Sequence, residues 1–177
     1  MTDQALIIGR RKFLSLAGLG AYVAAFGVLM PFKLSLAAEE IKKIMKTDDE
    51  WERELTSKQF DVLRHEGTER PFTSALLDEH RKGQFICAGC GLPLFTSDTK
   101  FDSGTGWPSF FRAIDGHVET KRDVQLIMVR TEYHCARCGG HQGHVFEDGP
   151  QPTGLRYCNN GVALRFVPDK EGGDHDR

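Results

Sequence analysis

Two Cys-x-x-Cys pairs constrain the fold of this chain more than any other feature of its sequence. Cys87 and Cys90 form the first pair, Cys135 and Cys138 form the second, and a glycine follows each pair directly. Turns of this kind can place four thiolates at the corners of a tetrahedron around Zn²⁺. Because a closed four-sulfur site has no open position for a substrate, we expect one structural zinc ion that joins two distant strand ends.

Two other interpretations of these four cysteines stay open. Oxidising compartments convert paired cysteines into disulfides, and a Cys-x-x-Cys pair can also be redox-active. A redox-active pair normally occurs once and in front of a helix, whereas this chain carries the motif twice with trailing glycines. The pattern therefore favours zinc over the two alternatives.

The N-terminal segment has the layout of an export signal. Residues 1–37 combine a basic start, an apolar centre and a small-residue end, and the RRKFL stretch at 10–14 resembles the twin-arginine class of bacterial signals. Cleavage after residue 37 would start the mature protein near Ala38. The alternative is an uncleaved membrane anchor, because residues 13–32 contain almost no polar side chain. Both interpretations predict an exported, periplasmic domain.

The remainder of the chain predicts a single domain with short flanking segments. Residues 38–47 are charged and predict a tether, residues 48–168 predict the folded domain, and residues 169–177 predict a disordered polar tail. A chain of 177 residues has room for one domain with a core. Its formal net charge of -2 gives no electrostatic reason to expect nucleic acid as a partner.

Two short helices are predicted at the start of the domain. Asp48 or Asp49 can cap the first, and Thr56 or Ser57 can cap the second, which Gly67 ends. Trp51 and Leu55 lie on one face of the first helix, and Phe60, Val62 and Leu63 are the apolar residues of the second.

Strand patterns dominate the chain after residue 85, although residues 73–81 predict one or two further helical turns before them. Residues 124–135 are rich in β-branched side chains and predict a strand buried on both faces. The short runs LRYC and VALRFV, on either side of an Asn-Asn-Gly turn, predict two more strands. We therefore expect a mainly β fold, in which small antiparallel sheets form a compact zinc-clipped domain with short N-terminal helices.

Cys158 is the one cysteine outside the two pairs. A lone cysteine is often a small core residue. Two glycine-rich stretches favour a functional role for Cys158 over a core role. Residues 139–154 carry two histidines and two acids, and residues 101–111 carry Trp107. Such loops often carry functional side chains, although the histidines could instead be metal ligands or turn residues and the tryptophan a core residue.

The stretches SGTGWPSF and HCARCGGHQGHVFEDGPQPTGLRYCNN, together with the two cysteine pairs, resemble the B-type methionine sulfoxide reductases from about Asp48 to Pro168. The resemblance implies a peptide-methionine (R)-S-oxide reductase that returns methionine-R-sulfoxide, preferably peptide-bound, to methionine in protein repair. It implies that Cys158 is the nucleophile and that the structural zinc lies apart from the active site. It also implies further site residues: His144, His141, Asn160 and Asp148 as catalytic residues, and Trp107 and Arg156 as substrate-binding residues.

The chemistry of sulfoxide reduction is consistent with these residue types. A sulfoxide sulfur is a poor electrophile until its oxygen is protonated, and His144, assisted by His141, would supply the proton. Arg156 or a protonated histidine would lower the pKa of Cys158 from its usual value of about 8.5. Trp107 would offer an apolar face to the terminal methyl group of the substrate.

The sequence departs from part of that family at Thr105, where many members carry a resolving cysteine. No spare cysteine exists if four bind zinc. We therefore expect a cycle in which an external thiol, from a thioredoxin-like donor, reduces the sulfenic acid of Cys158. We expect a monomer. The competing hypotheses are a zinc-stabilised module that binds oxidised peptides without turnover and, against the charge balance, a zinc ribbon for nucleic acid.

Overall fold

Nine short strands and two short helices make up the part of the chain that the structure, a computed structural model, describes: residues 41–124 and 129–170. The helices are α1 (Asp48–Glu54) and α2 (Ser57–His65). The strands are β1 (Gly83–Cys87), β2 (Pro93–Thr96), β3 (Lys100–Phe101), β4 (Ser109–Phe110), β5 (Val118–Asp123), β6 (Arg130–Cys135), β7 (His141–Phe146), β8 (Arg156–Asn159) and β9 (Leu164–Pro168). The predicted export signal, and the predicted tail from residue 171 onward, lie outside the described residues.

The strands form two antiparallel sheets. One sheet has three strands in the order β2-β1-β9, and the other has six in the order β3-β4-β8-β7-β6-β5. β8 and β9 belong to different sheets, so the chain passes from one sheet to the other at the Asn-Asn-Gly turn. The predicted mainly β fold of small antiparallel sheets with short N-terminal helices is confirmed.

Aromatic side chains from both sheets meet in one core. Phe85 and Phe95 come from the three-stranded sheet, Phe110 and Tyr133 come from the six-stranded sheet, and all four are buried. The rings of Phe95 and Phe110 are stacked with centroids 4.1 Å apart, and those of Phe85 and Phe110 are 4.9 Å apart. Pairs of this kind stabilise a core by about 0.5–1.5 kcal/mol beyond the burial of their area.

A threonine caps the N-terminus of each helix. Thr56 caps α2 as predicted, but α1 is capped by Thr47 and not by Asp48 or Asp49. The reason is the residue three positions on: the Glu50 carboxylate accepts the Thr47 backbone N–H at 2.7 Å while the Thr47 hydroxyl accepts the Glu50 N–H at 3.3 Å. This reciprocal pair satisfies two backbone donors at once, which a lone aspartate cap cannot do.

The end of α2 differs from the prediction by one residue. Glu66, not Gly67, adopts the left-handed conformation, with φ 58°. The Gly67 N–H donates to the Asp61 carbonyl at 3.1 Å, and a Cβ at this position would lie 2.2 Å from the Asp61 carboxylate, which would have to move. The glycine therefore serves a close approach rather than a positive φ.

Residues 73–81 form isolated turns and not the predicted helical segment. The Ser74 hydroxyl accepts the Leu76 N–H at 3.2 Å, and the Leu77 N–H donates to the Ser74 carbonyl at 3.2 Å. Serine side chains that bind nearby backbone offer an alternative to the helix, and this segment is too short to overcome it.

The strand predicted over residues 124–135 is wrong in its first part. β6 begins at Arg130 and pairs with β5, and Val124 and Val129 are 67% and 60% exposed. Residues 125–128 lie outside the described residues. Among the described residues of this run, Val124 and Val129 lie outside the strands, and β6 enters the core through Tyr133 and Cys135.

The segment that precedes α1 contacts the second cysteine pair. The Ile44 N–H donates to the Arg137 carbonyl at 2.7 Å, and Ile41 and Ile44 pack against the core. Lys43 forms an ion pair with Glu119 on β5. In the described part of the chain, no helix has the length and apolar character needed to cross a membrane.

Candidate active site and metal centre

The two cysteine pairs form matching turns at the ends of strands from different sheets. Cys87 ends β1 and Cys135 ends β6. In each turn the cysteine carbonyl accepts a glycine N–H at 2.9 Å, from Gly91 in the first and Gly139 in the second. These glycines have φ of +73° and +69°, a conformation that other residues rarely adopt. The trailing glycines thus shape the turns.

The four sulfur atoms of these turns lie within 4.8 Å of one another. Two of the separations join cysteines of different pairs: Cys87 to Cys138 at 3.7 Å and Cys90 to Cys135 at 3.5 Å. Both distances exceed a disulfide bond of about 2.05 Å. They are close to the spacing of about 3.8 Å expected between sulfurs that lie about 2.3 Å from a central Zn²⁺. The donor set fits a tetrahedral metal ion.

Electrostatic coupling among these thiols is consistent with a cation site. Hydrogen bonding, first of all with Cys135, lowers the pKa of Cys90 and raises the pKa of Cys87. The pKa of Cys138 is also lowered by a hydrogen bond from Cys135. A bound cation would stabilise all four as thiolates.

Strand register places Cys158 beside a histidine. His144 on β7 is the direct partner of Cys158 on β8, and Ser109 on β4 is the partner of Cys158 on its other side. Glu132 on β6 is in turn the partner of His144. Directly paired residues point to the same face of a sheet, so these four side chains form one row across four strands.

A pocket of about 140 Å³ opens above this row. Its lining residues are Thr68, Trp107, Arg130, Gly143, His144, Phe146, Cys158, Asn159 and Asn160. Pockets for drug-sized ligands measure about 300–1,000 Å³, so this pocket suits a single side chain better than a cofactor. Of the residues predicted from the sequence, the structure brings Trp107, His144, Cys158 and Asn160 together here.

The environment of Cys158 contradicts the expected lowering of its pKa. Burial raises the pKa of Cys158, while Arg156 and a hydrogen bond from Thr105 lower it, and burial has the larger effect. The influence of Arg156 has the predicted direction but is too small, because Arg156 is shared with a carboxylate. Its Nε and Nη2 donate to Asp148 Oδ1 and Oδ2, each at 2.8 Å.

The Asp148 carboxylate is therefore engaged beside the pocket. The hydrogen bonds from Arg156 lower the pKa of Asp148, whose side chain is 61% exposed. The Arg156 guanidinium also lies over the Phe146 ring, 4.3 Å from its centroid. Neither Arg156 nor Asp148 lines the pocket directly, so both support it through the residues around them.

His144 is held by a carboxylate that sequence reasoning missed. Its Nε2 lies 2.8 Å from Asp123 Oδ2, and Arg130 Nη2 donates to the same oxygen at 2.6 Å. Burial lowers the pKa of His144, and the hydrogen bond with Asp123 opposes that effect only in part. In the sequence, Asp123 stands after an arginine and directly before an apolar run, and this position predicts only a strand boundary. No stronger sequence signal indicated its contact with His144.

His141 lies behind His144 and forms a buried contact with Glu132. Its Nδ1 is 2.8 Å from Glu132 Oε1, and Lys121 Nζ is 3.0 Å from Glu132 Oε2. The rings of His141 and His144 are 5.6 Å apart. Among the described residues, the cysteines form the one cluster with metal-ligand geometry, so neither histidine joins a metal site there. Glu132 and Lys121 were not predicted.

Asn160 and Trp107 share a loop contact. The Asn160 Oδ1 accepts the Glu69 N–H at 3.0 Å, and the Trp107 Nε1–H donates to the Glu69 carbonyl at 3.1 Å. The Glu69 carboxylate accepts the backbone N–H of Gly161 and, at 3.1 Å, that of Val162. Glu69 thus ties the wall of the pocket to the turn after β8, a role that its sequence context did not reveal.

This fold and this pocket define a class: a small antiparallel β enzyme in which a free cysteine faces a histidine, with a separate four-thiol centre that fastens its two sheets. Comparison with known proteins agrees with that class. A family model described as the SelR domain matches residues 55–168.

Curated relatives of the chain are peptide methionine sulfoxide reductases MsrB. The protein of that name from Bradyrhizobium diazoefficiens is 55% identical over 71% of this chain and 91% of its own length. Those from Methanosarcina barkeri and Leptospira interrogans are 53% and 52% identical, over 74% and 70% of this chain and 93% and 95% of their own lengths. The chain belongs to the MsrB-type methionine sulfoxide reductase family.

Proposed function

We infer that this protein is a peptide-methionine (R)-S-oxide reductase, an oxidoreductase that returns methionine-R-sulfoxide to methionine and so repairs oxidised proteins. Family membership supports the reaction. The observation that carries it is the placement of Cys158 directly opposite His144, in a pocket walled by Trp107. Proteins and peptides that contain the sulfoxide are the substrates, with the peptide-bound form preferred, and a thiol is the reductant.

The reaction transfers one oxygen atom to Cys158. Its thiolate attacks the sulfoxide sulfur and forms a transient sulfur–sulfur bond. As the oxygen moves to the cysteine sulfur, that bond and the substrate sulfur–oxygen bond both break. The substrate sulfur gains two electrons and the cysteine sulfur loses two. One thiolate, one proton and one sulfoxide thus yield one sulfenic acid and one thioether.

The proton for this step starts on Cys158 rather than on His144. Burial raises the pKa of the thiol and lowers the pKa of the imidazole, so at neutral pH the free protein favours a thiol beside a neutral histidine. His144 would accept the thiol proton as the sulfur attacks and donate it to the sulfoxide oxygen. Asp123 and His141 would orient His144 for both transfers.

The other predicted residues would shape the pocket around the reacting atoms. Trp107, fixed through its indole N–H, would receive the terminal methyl group of the substrate. Asn160 would hold the Glu69 loop that supports this indole. Arg156, oriented by Asp148, would offset part of the burial cost of the Cys158 thiolate.

The nucleophile is tested by trapping its sulfenic acid. The protein is mixed with a capped methionine-R-sulfoxide and dimedone, and the peptide that contains Cys158 is measured by mass spectrometry. We expect one dimedone adduct at Cys158 and none in the Cys158→Ser variant. An adduct at another cysteine would reassign the nucleophile.

We propose a one-cysteine cycle, because Thr105 stands beside Cys158 and the other cysteines form the metal centre. A thioredoxin-like protein would reduce the sulfenic acid directly or through a mixed disulfide. Non-reducing mass spectrometry of sulfoxide-treated protein checks this. A disulfide between Cys158 and any other cysteine of the chain would contradict it.

We propose Zn²⁺ as the ion of the four-cysteine centre, with Cys87, Cys90, Cys135 and Cys138 as ligands. The tetrahedral spacing of the sulfurs and the softness of thiolate ligands support it. A bound zinc ion would supply stability and not reactivity, since four protein ligands fill its coordination sphere. Metal analysis of purified protein should give one zinc per chain, and its absence from folded protein would overturn the assignment.

We propose export to the periplasm through the twin-arginine route, with residues 1–37 as the signal or, if it is not cleaved, as a membrane anchor. The RRKFL stretch supports this, and export of a folded chain would allow metal loading in the cytoplasm. Replacing Arg10 and Arg11 by lysine should retain the protein in the cytoplasm. Export that persists in cells lacking the twin-arginine translocase would refute the route. We also propose that the protein is a monomer, which light scattering tests.

A further inference from the structure

Three hydroxyl groups form a hydrogen-bonded chain beside Cys158. The Thr105 side chain interacts with Cys158 and lowers the pKa of its thiol, against the larger effect of burial. The Thr105 hydroxyl oxygen lies 2.8 Å from the hydroxyl of Ser103, which lies 2.7 Å from the hydroxyl of Ser109. The Ser109 hydroxyl also donates to the Trp107 carbonyl at 3.1 Å. The chain therefore runs from the reacting sulfur to a backbone carbonyl.

The fold holds these hydroxyls in place. Ser109 is fully buried and is the direct strand partner of Cys158, so its position is fixed by the sheet. Ser103 and Thr105 are half-buried in the turn that precedes Trp107. Asp102 anchors that turn by accepting the Gly104 N–H at 2.8 Å. The short oxygen–oxygen distances thus belong to an ordered array and not to mobile surface side chains.

The hydrogen bonds of this array can run in either of two directions, from the sulfur to the carbonyl or from Ser109 to the sulfur. Each hydroxyl carries one hydrogen and can accept further ones. When Cys158 is a thiol, it can donate to Thr105, which donates to Ser103, which donates to Ser109, which donates to the Trp107 carbonyl. When Cys158 is a thiolate, the three hydroxyls can rotate so that Ser109 donates to Ser103, Ser103 to Thr105, and Thr105 to the sulfur.

We propose that Thr105, Ser103 and Ser109 form a reversible hydrogen-bond chain that keeps the Cys158 sulfur partnered both as a thiol and as a thiolate. This rests on the proposed role of Cys158 as the nucleophile. Thr105 is the terminal donor to the thiolate, and the two serines are positioning residues that supply and receive hydrogen bonds behind it. Only the Trp107 carbonyl loses a donor when the direction reverses.

The chain gives Thr105 a function of its own beside the nucleophile. A hydroxyl stabilises a neighbouring thiolate by a charge-assisted hydrogen bond without placing a second charge in the pocket. The same hydroxyl can accept a hydrogen bond from the sulfenic acid formed after oxygen transfer. Thr105 therefore favours attack by Cys158 and leaves its oxidised form open to an external thiol.

The test measures the ionisation of Cys158 without using turnover. Full-length wild-type protein and the variants Thr105→Val, Thr105→Ser and Thr120→Val are alkylated with iodoacetamide from neutral to alkaline pH. The rate at the peptide containing Cys158 is followed by mass spectrometry, which separates it from the metal-centre cysteines. Valine preserves the shape of threonine but has no hydroxyl, serine keeps the hydroxyl, and Thr120 is an exposed threonine on β5 that serves as control.

We expect Thr105→Val to reduce the thiolate fraction of Cys158 at neutral pH about tenfold or more, as the loss of a hydrogen bond to a charged group implies. Thr105→Ser and Thr120→Val should match the wild type. An unchanged titration in Thr105→Val would overturn the proposal. So would equal shifts in Thr105→Val and Thr105→Ser, which would indicate a packing effect.

The reductase function is assessed separately on the wild type. If wild-type protein reduces methionine-R-sulfoxide while Thr105→Val titrates normally, the hydroxyl chain fails and the function stands. If wild-type protein does not reduce either epimer, the proposed function fails whatever the titration shows.

Discussion

The stability lost when a charged residue is replaced should depend on how deeply its side chain is buried. Glu132 and Glu119 each bind one lysine and one histidine: Glu132 binds Lys121 and His141, whereas Glu119 binds Lys43 and His134. The Glu132 side chain is 3% exposed and the Glu119 side chain is 49% exposed. Deleting the Glu132 carboxylate would leave the buried His141 without its partner, whereas the half-exposed Lys121 keeps access to water.

Glu132→Ala should therefore lower the free energy of unfolding by about 3–5 kcal/mol, because it leaves His141 buried without its partner. Glu119→Ala should cost less than about 1 kcal/mol, since solvent screens its ion pairs. Urea denaturation of both variants measures the difference. Equal, small losses would show that the contact between Glu132 and His141 is not buried in solution.

The ionisation of Cys158 should follow burial. Because burial raises the pKa of this thiol, its alkylation rate in the native protein should reach half its maximum at higher pH than in urea-denatured protein. By linkage, this group contributes stability below its unfolded pKa and loses it as the pH rises through the raised folded pKa. A native midpoint below the denatured one would show that Arg156 outweighs burial, as the sequence had suggested.

The site residues that the sequence revealed are those of a type that is unusual in its local sequence context. Cys158, His144 and Trp107 occur in glycine-rich stretches, where a reactive or bulky side chain has little structural reason to be. Asp123, Arg130 and Glu132 look like ordinary charged residues around a strand. Their role depends on partners brought to them by strand register, which the sequence alone does not specify.

At the level of elements, the helices show which local sequence signals are sufficient to predict where a helix starts. Thr56 with Gln59, and Thr47 with Glu50, form reciprocal caps that a search for threonine followed three residues later by glutamate or glutamine identifies. Apolar content was a weaker guide for residues 124–135, because exposed valines at a strand end resemble core valines in sequence.

Thr56→Ala should destabilise the protein by about 1 kcal/mol, because it removes the side-chain acceptor for the Gln59 N–H at the start of α2. Thr120→Ala, at an exposed strand position, should cost less. Thermal unfolding followed by circular dichroism compares the two. If the thermal unfolding midpoint of Thr56→Ala is no lower than that of Thr120→Ala, the Thr56 cap does not stabilise α2.

At the level of the whole molecule, the cysteine centre connects the two sheets. Cys87 belongs to the three-stranded sheet and Cys135 to the six-stranded sheet, and the aromatic core lies between them. The sequence predicted this connection because paired cysteines with trailing glycines have few other uses. It did not predict how the strands divide between two sheets, since that depends on long-range pairing such as β1 with β9.

Removing the proposed zinc ion should therefore lower the stability of the whole domain by several kcal/mol, because metal binding is coupled to folding and would fix both strand ends. Thermal unfolding with and without a strong chelator measures this. Cys158→Ser, which leaves the centre intact, should retain its metal and a near-wild-type midpoint. A chelated, metal-free protein that unfolds at the wild-type temperature would contradict a structural role for the centre.

The central claim is that Cys158 reduces one epimer of methionine sulfoxide. The most direct measurement incubates purified protein and dithiothreitol with a capped R- or S-methionine sulfoxide, beside the Cys158→Ser variant. We expect consumption of the R epimer alone and no activity in the variant. If folded, metal-loaded protein consumes neither epimer, the reductase account is contradicted and a module that only binds oxidised peptides takes its place.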